Sequence, residues 1–312
     1  MQNDIPKVSI GIPVFNGERY LAEALDSILN QTFTDYEVII SDNASADQTR
    51  DICEYYQNKD RRIRFYANEE NRGAAWNYNR VFELSKGKYF KWAAHDDYLA
   101  PNFLERCVRI LDKDSSAILA YPRTVIVDHN GKTIENWLDD FDLRSPTPSR
   151  RYKQYHQRLL QRPWCIPVFG LIRRNILAST RLIGNYLESD RVLLAELVLR
   201  GAFVELPEHL FFRRFHEKMS VRAPKTIEEN VAWWDPENRG KIVLPKLRLL
   251  AAYTSAITSA PINRVEKEKC FITNLWWLAS DRRRKIRHEL VRAAKKKIFG
   301  HTITTQNTER AV

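Results

Sequence analysis

Cysteine and glycine are both scarce in this 312-residue chain, at 4 and 10 residues. The cysteines (Cys53, Cys107, Cys165, Cys270) are scattered, with no Cys-x-x-Cys pair, which speaks against a zinc site or a disulfide framework and fits a reducing compartment. No apolar run approaches the roughly 20 residues that span a bilayer. The opening Met-Gln-Asn-Asp-Ile-Pro-Lys lacks the basic and then apolar stretches of a secretion signal. No transmembrane helix and a cytoplasmic location are therefore expected. Three glycine-built motifs are also missing: the dinucleotide fingerprint, the P-loop and the serine-hydrolase elbow. A bound nucleotide would have to be held by carboxylates and a metal instead of a glycine cradle.

What the chain does have is material for a core, with 44% hydrophobic and 11% aromatic residues. That excludes a wholly disordered chain. The length suggests two domains, or one large domain with an appendage. Up to about residue 115, strand and helix signals alternate strictly. Val8–Val14, Tyr36–Ile40, Arg62–Tyr66 and Lys88–Ala94 read as strands. Between them, apolar residues recur at helical spacing, as in Leu21, Ala24, Leu25, Ile28 and Leu29. Ser45 with Gln48 reads as a capping box, and Pro101 as the first residue of a helix. The expected class is α/β, a doubly wound, mostly parallel sheet. Beyond residue 115 the rhythm becomes mixed. Separate strands are expected at 117–121, 124–127, 168–172, 202–206 and 210–215, with a hairpin turn at His129-Asn130-Gly131 and a helix over 190–200. From about Ile227 the composition is helical, Trp-rich and basic.

Ligands of an open α/β sheet bind outside the carboxyl ends of its strands. Three polar clusters fall there: Pro13-Val-Phe-Asn16, Ser41-Asp42-Asn43 and His95-Asp96-Asp97. Each alone could be turn or cap chemistry, but all three share one edge. Adjacent Asp96 and Asp97 repel one another, and a hard divalent cation such as Mn²⁺ or Mg²⁺ relieves that repulsion. The bland alternative is an acidic pair capping the helix near Pro101.

Several ordered stretches resemble family 2 glycosyltransferases of the GT-A fold: Val8 to Leu21, Leu25 to Phe33, Tyr36 to Thr49, Asn71-Arg72-Gly73 and His95-Asp96-Asp97. The resemblance covers roughly residues 6 to 220. It implies a GT-A domain over 1–225, with a Rossmann-like nucleotide-sugar half (1–115) and a mixed acceptor half (116–225), followed by a helical extension over 226–312. It also implies inverting transfer of a hexosyl group from a UDP- or dTDP-sugar to an acceptor hydroxyl, saccharide or lipid-linked, in cell-surface polysaccharide or glycolipid synthesis. Carried onto this chain, Pro13, Phe15, Asn16, Asn43, Arg72, Gly73 and Asp96 would surround the nucleotide, and Asp42 would bond the base. Asp96, Asp97 and His216 would hold the metal, with Arg214 and His216 at the diphosphate. Ala94 departs from the pattern, standing where a first Asp is usual. Asp190 would be the catalytic base, with Glu188 the alternative, since Glu188-Ser-Asp190 departs from the usual Glu-Asp pair; Asp190 as a plain helix cap is the third possibility.

Between Asp281 and Lys297 lie nine Lys or Arg residues against two acids. With Trp276-Trp277 just upstream, the segment 281–298 suggests a peripheral contact with anionic membrane, or else a solvated helix face. The net charge of +11 raises nucleic acid as a partner, but the charge sits in this tail while the sheet edge is acidic, so no nucleic acid is expected. Ala94 and the altered acidic motif also leave open a non-catalytic, nucleotide-binding scaffold within a larger synthase.

Overall fold

A computed structural model describes residues 5–162, 164–217, 219, 226–241, 243–279, 286–287 and 289–291. Nine strands form one sheet: β1 (Val8–Val14), β2 (Tyr36–Asp42), β3 (Ile63–Ala67), β4 (Tyr89–Trp92), β5 (Tyr98–Leu99), β6 (Ala117–Val127), β7 (Thr133–Trp137), β8 (Leu171–Arg173) and β9 (Ala202–Arg214). Helices among the described residues are α1 (Leu21–Leu29), α2 (Thr49–Lys59), α3 (Ala74–Glu83), α4 (Phe103–Lys113), α5 (Pro148–Gln161), α6 (Arg174–Ala178), α7 (Ser189–Arg200), α8 (Ile227–Trp234), α9 (Pro245–Ser259) and α10 (Arg264–Trp277). The strand order is β3-β2-β1-β4-β8-β6-β9-β5, with β7 on β6.

The first four strands are all parallel, as the alternating pattern requires. β1 and β2 are buried along their whole length, the mark of a sheet covered on both faces. Helix α3 lies so close to β1 that a Cβ on Gly11 would sit 2.7 Å from Val81 Cγ2. β8 then runs antiparallel to β4, and β6 antiparallel to β8. Two reversals restore the original direction, and β9 is parallel to β6. The carboxyl end of β9 therefore opens on the same edge as those of β1, β2 and β4, although 110 residues separate β9 from β4 in the chain.

Two expectations merge differently. The strands read at 117–121 and 124–127 are one strand, β6, running through Pro122, and those at 202–206 and 210–215 are one strand, β9, running through Pro207. The stretch expected as a strand at 168–172 starts as a 3₁₀ turn, Ile166–Phe169, before β8. Helix α2 begins at Thr49 without a side-chain cap, because Ser45 is drawn instead to Asp42 and Asn16. Helix α4 begins at Phe103, with Pro101 in the preceding turn.

Helix α7 is buried from Val192 to Leu199 on all sides, as a helix enclosed by other layers must be. One apolar cluster runs from Leu119 and Phe203 of the sheet through Leu193 and Leu197 to Leu249, Tyr253, Cys270 and Trp277 of α9 and α10. No helix among the described residues is long and apolar enough to cross a membrane. Most of the basic segment 281–298, and with it the membrane contact expected there, lies outside the described residues.

Beyond β7, Asp139 is fully buried, accepting hydrogen bonds from Trp137 Nε1 (3.0 Å) and Thr124 Oγ1 (3.3 Å). Burial pushes its carboxyl up to about 7, against the pull of those bonds and of Arg213. The folded value exceeds the unfolded one, so Asp139 destabilises the fold progressively as pH rises from about 4 to about 7. D139N should flatten that dependence. Urea midpoints should show it no more stable than the parent near pH 4 but more stable at pH 8, by at most about 4 kcal/mol. Parallel pH profiles for the two proteins would refute this.

Candidate active site

A hollow of about 1,490 Å³ opens at the carboxyl edge of the sheet. That exceeds the 300–1,000 Å³ common for a single small ligand. The loop after β1 supplies Pro13, Phe15 and Asn16, and the loop after β2 supplies Asn43. Asn16 knits these loops together: its N–H donates to Ser45 Oγ (2.8 Å) and its Oδ1 accepts from Ala46 N (3.0 Å). Asn43 fixes the next loop, with Oδ1 accepting from Arg72 N (3.0 Å) and Nδ2 donating to Asn71 Oδ1 (2.9 Å). Gly73 must be glycine twice over. Its φ is +86°, and an added Cβ would lie 2.6 Å from Pro236 Cδ. The opposite wall is α8 and the turn after it, through Glu228, Trp233 and Arg239.

Asp42, Arg72 and Gly73 border this hollow without lining it. Asp42 is buried behind it, its Oδ1 taken up by Ser45 N and Oγ. Arg72 is exposed, with its guanidinium 4.4 Å over the Trp76 ring.

Asp96, Asp97, Arg214 and His216 do meet at the hollow. His216 Nε2 lies 2.9 Å from Asp96 Oδ2, and its ring leans on Tyr20 at 5.0 Å. Burial raises the Asp96 carboxyl, but the His216 hydrogen bond and the charges of His95 and His216 outweigh it, and the net direction is down. Asp97 goes the other way, raised by burial and by the charge of Asp96. Beneath it the wholly buried Lys91 donates to the carbonyls of Phe169 (2.5 Å) and Trp92 (3.2 Å), and burial lowers its ammonium to about 7.

Two of the residues expected to hold ligands have protein partners. Asp97 does not join Asp96 and His216 in a ready three-ligand metal site. Its Oδ1 accepts the backbone N–H of Arg214 (2.9 Å), and no group of three His, Cys, Asp or Glu side chains suited to a metal occurs among the described residues. Nor does Arg214 offer its guanidinium to a diphosphate. Only 2% exposed, it donates to Glu23 Oε2 (2.6 Å), Asp96 O (3.1 Å) and His129 O (3.3 Å), and lies over the rings of Tyr20 and Tyr98. Asp96 and His216 remain a fitting donor pair for Mn²⁺ or Mg²⁺, which complete their shells with water and substrate phosphate.

Asp190 sits in the first turn of α7, behind Tyr78. Tyr78 lines the hollow; burial raises its phenol and the charges of Asp96, Asp97 and Asp190 raise it further, while Asp190 itself does not line the hollow. Asp190 accepts from Arg191 N (2.9 Å) and from the Cys165 thiol, and it forms no ion pair among the described residues. Burial raises its carboxyl above the usual range, with Arg191 and these hydrogen bonds opposing. Glu188, by contrast, is ion-paired to Arg191 (2.5 Å) and to Lys246 of α9.

Sequence reading missed Tyr78, Cys165, Lys91 and Glu23. Tyr78 was hidden in the apolar stripe of α3, and Cys165 among scattered cysteines. Lys91 alone carried a signal, as a charge in the middle of an otherwise apolar strand. Replacing Arg214 tests the knot that holds the acidic loop. R214A should lose about 3 kcal/mol of stability in urea denaturation, because three acceptors lose a buried cation, while R214K should lose less. A loss below about 0.5 kcal/mol, the level of an ordinary surface change, would refute that role.

The sequence profile described as glycosyl transferase family 2 matches residues 9–180. A chondroitin synthase of Escherichia coli is 37% identical over 133 residues, 42% of this chain and 19% of the synthase. A hyaluronan synthase of Pasteurella multocida is 34% identical over 134 residues, 43% of this chain and 14% of that protein. This chain thus spans only a small part of these relatives. Among solved structures, S. aureus TarS 1–349 in complex with UDP-GlcNAc aligns with a TM-score of 0.65 over 86% of this chain and 71% of TarS, at 18% identity. A Pyrobaculum calidifontis mannosyltransferase in complex with GDP-Man and Mn²⁺ gives 0.51 over 96% and 89%, at 15% identity. At such identities the likeness establishes the fold, the curled mixed sheet of GT-A glycosyltransferases. With that fold in place and the profile covering more than half of its length, the chain belongs to glycosyl transferase family 2.

Proposed function

We propose that this protein transfers a hexosyl group, with inversion, from a uridine or deoxythymidine diphosphate sugar to an acceptor hydroxyl during polysaccharide synthesis. The observation that carries this is Asp190: a buried carboxylate without an ion-pair partner among the described residues, across Tyr78 from the Asp96–His216 pair. Family membership and the likeness to TarS, solved with UDP-GlcNAc, support the donor class. The chondroitin and hyaluronan synthases among its relatives support a polysaccharide product.

In this reading the loops after β1 and β2 seat the nucleotide, and the Asn71–Gly73 loop held by Asn43 closes its far side. Asp96 and His216 hold a divalent cation, which when bound neutralises charge on the departing diphosphate. The acceptor hydroxyl gives its proton to Asp190 as its oxygen attacks the anomeric carbon from the face opposite the leaving group. A raised pKa makes Asp190 a stronger base than an ordinary carboxylate, and the N-terminus of α7 favours its ionised form. Glu188 is a poorer base, because Arg191 and Lys246 both stabilise its anion.

D190N should lower turnover about 10²- to 10⁴-fold, the usual contribution of a general base, with UDP affinity kept within about twofold. D96A should instead weaken Mn²⁺-dependent UDP binding. Because the Asp190 carboxyl is raised, activity should climb with pH through a value above the ordinary carboxylate range, and the residual activity of D190N should lack that limb. UDP release with an acceptor panel, together with calorimetry of UDP binding, reads all three. Unchanged turnover in D190N would overturn the assignment.

A further inference from the structure

Next to the occupied Arg214 stands an arginine of another kind. Arg213 lines the hollow, is half-buried, and forms no hydrogen bond or ion pair through its guanidinium among the described residues. It lies over an indole instead, with its guanidinium carbon 5.1 Å from the Trp164 ring centre. That indole is rigidly backed. Trp137 stacks on it at 4.3 Å and 26°, Phe215 meets it edge-on at 5.2 Å, and Arg162 lies over Trp137 at 5.0 Å. Arg19 and Arg239 also border the hollow, but both are exposed.

A guanidinium at the hollow whose N–H donors the protein does not use is available to pair with an incoming anion. Being stacked, it is already ordered, so a partner anion gains a two-pronged hydrogen-bonded pair with little further loss of side-chain freedom. Its position tells which substrate that anion belongs to. The charge of Arg213 reaches Asp97 and Tyr78. Its mount, Trp164, immediately precedes Cys165, whose thiol bonds Asp190. Through Trp164 and Cys165, Arg213 is tied to the segment that holds the proposed base, the side on which the acceptor enters in that reading.

We infer that Arg213 is an acceptor-side binding residue that recognises an anionic group, carboxylate or phosphate, on the incoming saccharide. This rests on the glycosyl-transfer reading above and adds an acceptor class to it: an acidic sugar. The donor N–H groups engage the anion while the saccharide body faces Asp190.

Calorimetry on the full chain with Mn²⁺, with and without UDP, tests this using two matched pairs: cellobiouronic acid against cellobiose, and glucose 6-phosphate against glucose. The parent should bind at least one acidic sugar about tenfold or more tighter than its neutral partner, the pair affected showing whether carboxylate or phosphate is read. R213Q should erase that preference while UDP affinity stays within about twofold, and R213K should keep part of it. W164L, which leaves the charge but removes its mount, should weaken the preference about threefold. Equal affinity for acidic and neutral sugars in the parent, or an unchanged preference in a folded R213Q, overturns the inference. So does a tenfold loss of UDP affinity in R213Q, which would place the guanidinium on the donor diphosphate. Failure of the parent to bind UDP while the acidic preference persists would sink the donor reading and support this one.

Discussion

A single buried cation organises the edge on which the site is built. Arg214 reaches from the last residue of β9 to α1 through Glu23, to the loop after β4 through the carbonyl of Asp96, and to the hairpin turn through His129. Its backbone N–H holds Asp97 as well. Three segments distant in sequence are thus fixed to one side chain, and His216, two residues on, is delivered to Asp96. A buried guanidinium is tolerable only when its donors are engaged, and here the carbonyls and carboxylates it needs are those of the acidic loop. The geometry of Asp96 follows from how that cation is satisfied.

The same knot explains why neighbouring carboxyls behave oppositely. Asp96 faces His216 and the hollow, and stays ionised. Asp97 faces the backbone of β9 and the buried Lys91, and is pushed up by its own burial and by Asp96. Two adjacent charges that cannot both be stabilised are separated by environment. One is left as a ligand-facing anion and the other becomes part of the scaffold. The absent first acid at Ala94 is set against His216, which stands beside Asp96 just past the end of β9.

Much of this was legible in the chain. The alternation up to residue 115 specifies a parallel sheet, and the polar clusters after β1, β2 and β4 mark its carboxyl edge because strand direction fixes where such loops emerge. The return of β9 to that edge was not legible, since it depends on two antiparallel reversals through β8, a three-residue strand too short to carry a periodic signal. Pro122 and Pro207 hid the length of β6 and β9, because proline usually ends a strand. The pair Arg213-Arg214 shows a finer limit. Both border the hollow, yet one arginine has its donors taken up by the protein while the other lies over an indole. A motif match names the first, and only the packing of Trp164 distinguishes the second. Asp42 reads as a ligand residue in sequence, and Ser45, read there as a helix cap, bonds its Oδ1.

The helices after residue 226 bear on the chemistry through mechanics. Lys246 of α9 pairs with Glu188, whose backbone is left-handed at φ 63° where α7 begins. Arg181 bridges Glu196 of α7 to the carbonyl of Ala252 in α9, and Asn274 of α10 accepts from Tyr152 of α5. Helix α7, buried on every side from Val192 to Leu199, is covered by α5 and α9. The proposed base sits in the first turn of that helix, so its aim toward Tyr78 is set by how α9 clamps Glu188. The left-handed residue is held there by two cations, which argues that Glu188 serves the site by fixing the start of α7, leaving Asp190, two residues later and without an ion-pair partner among the described residues, as the group able to accept a proton.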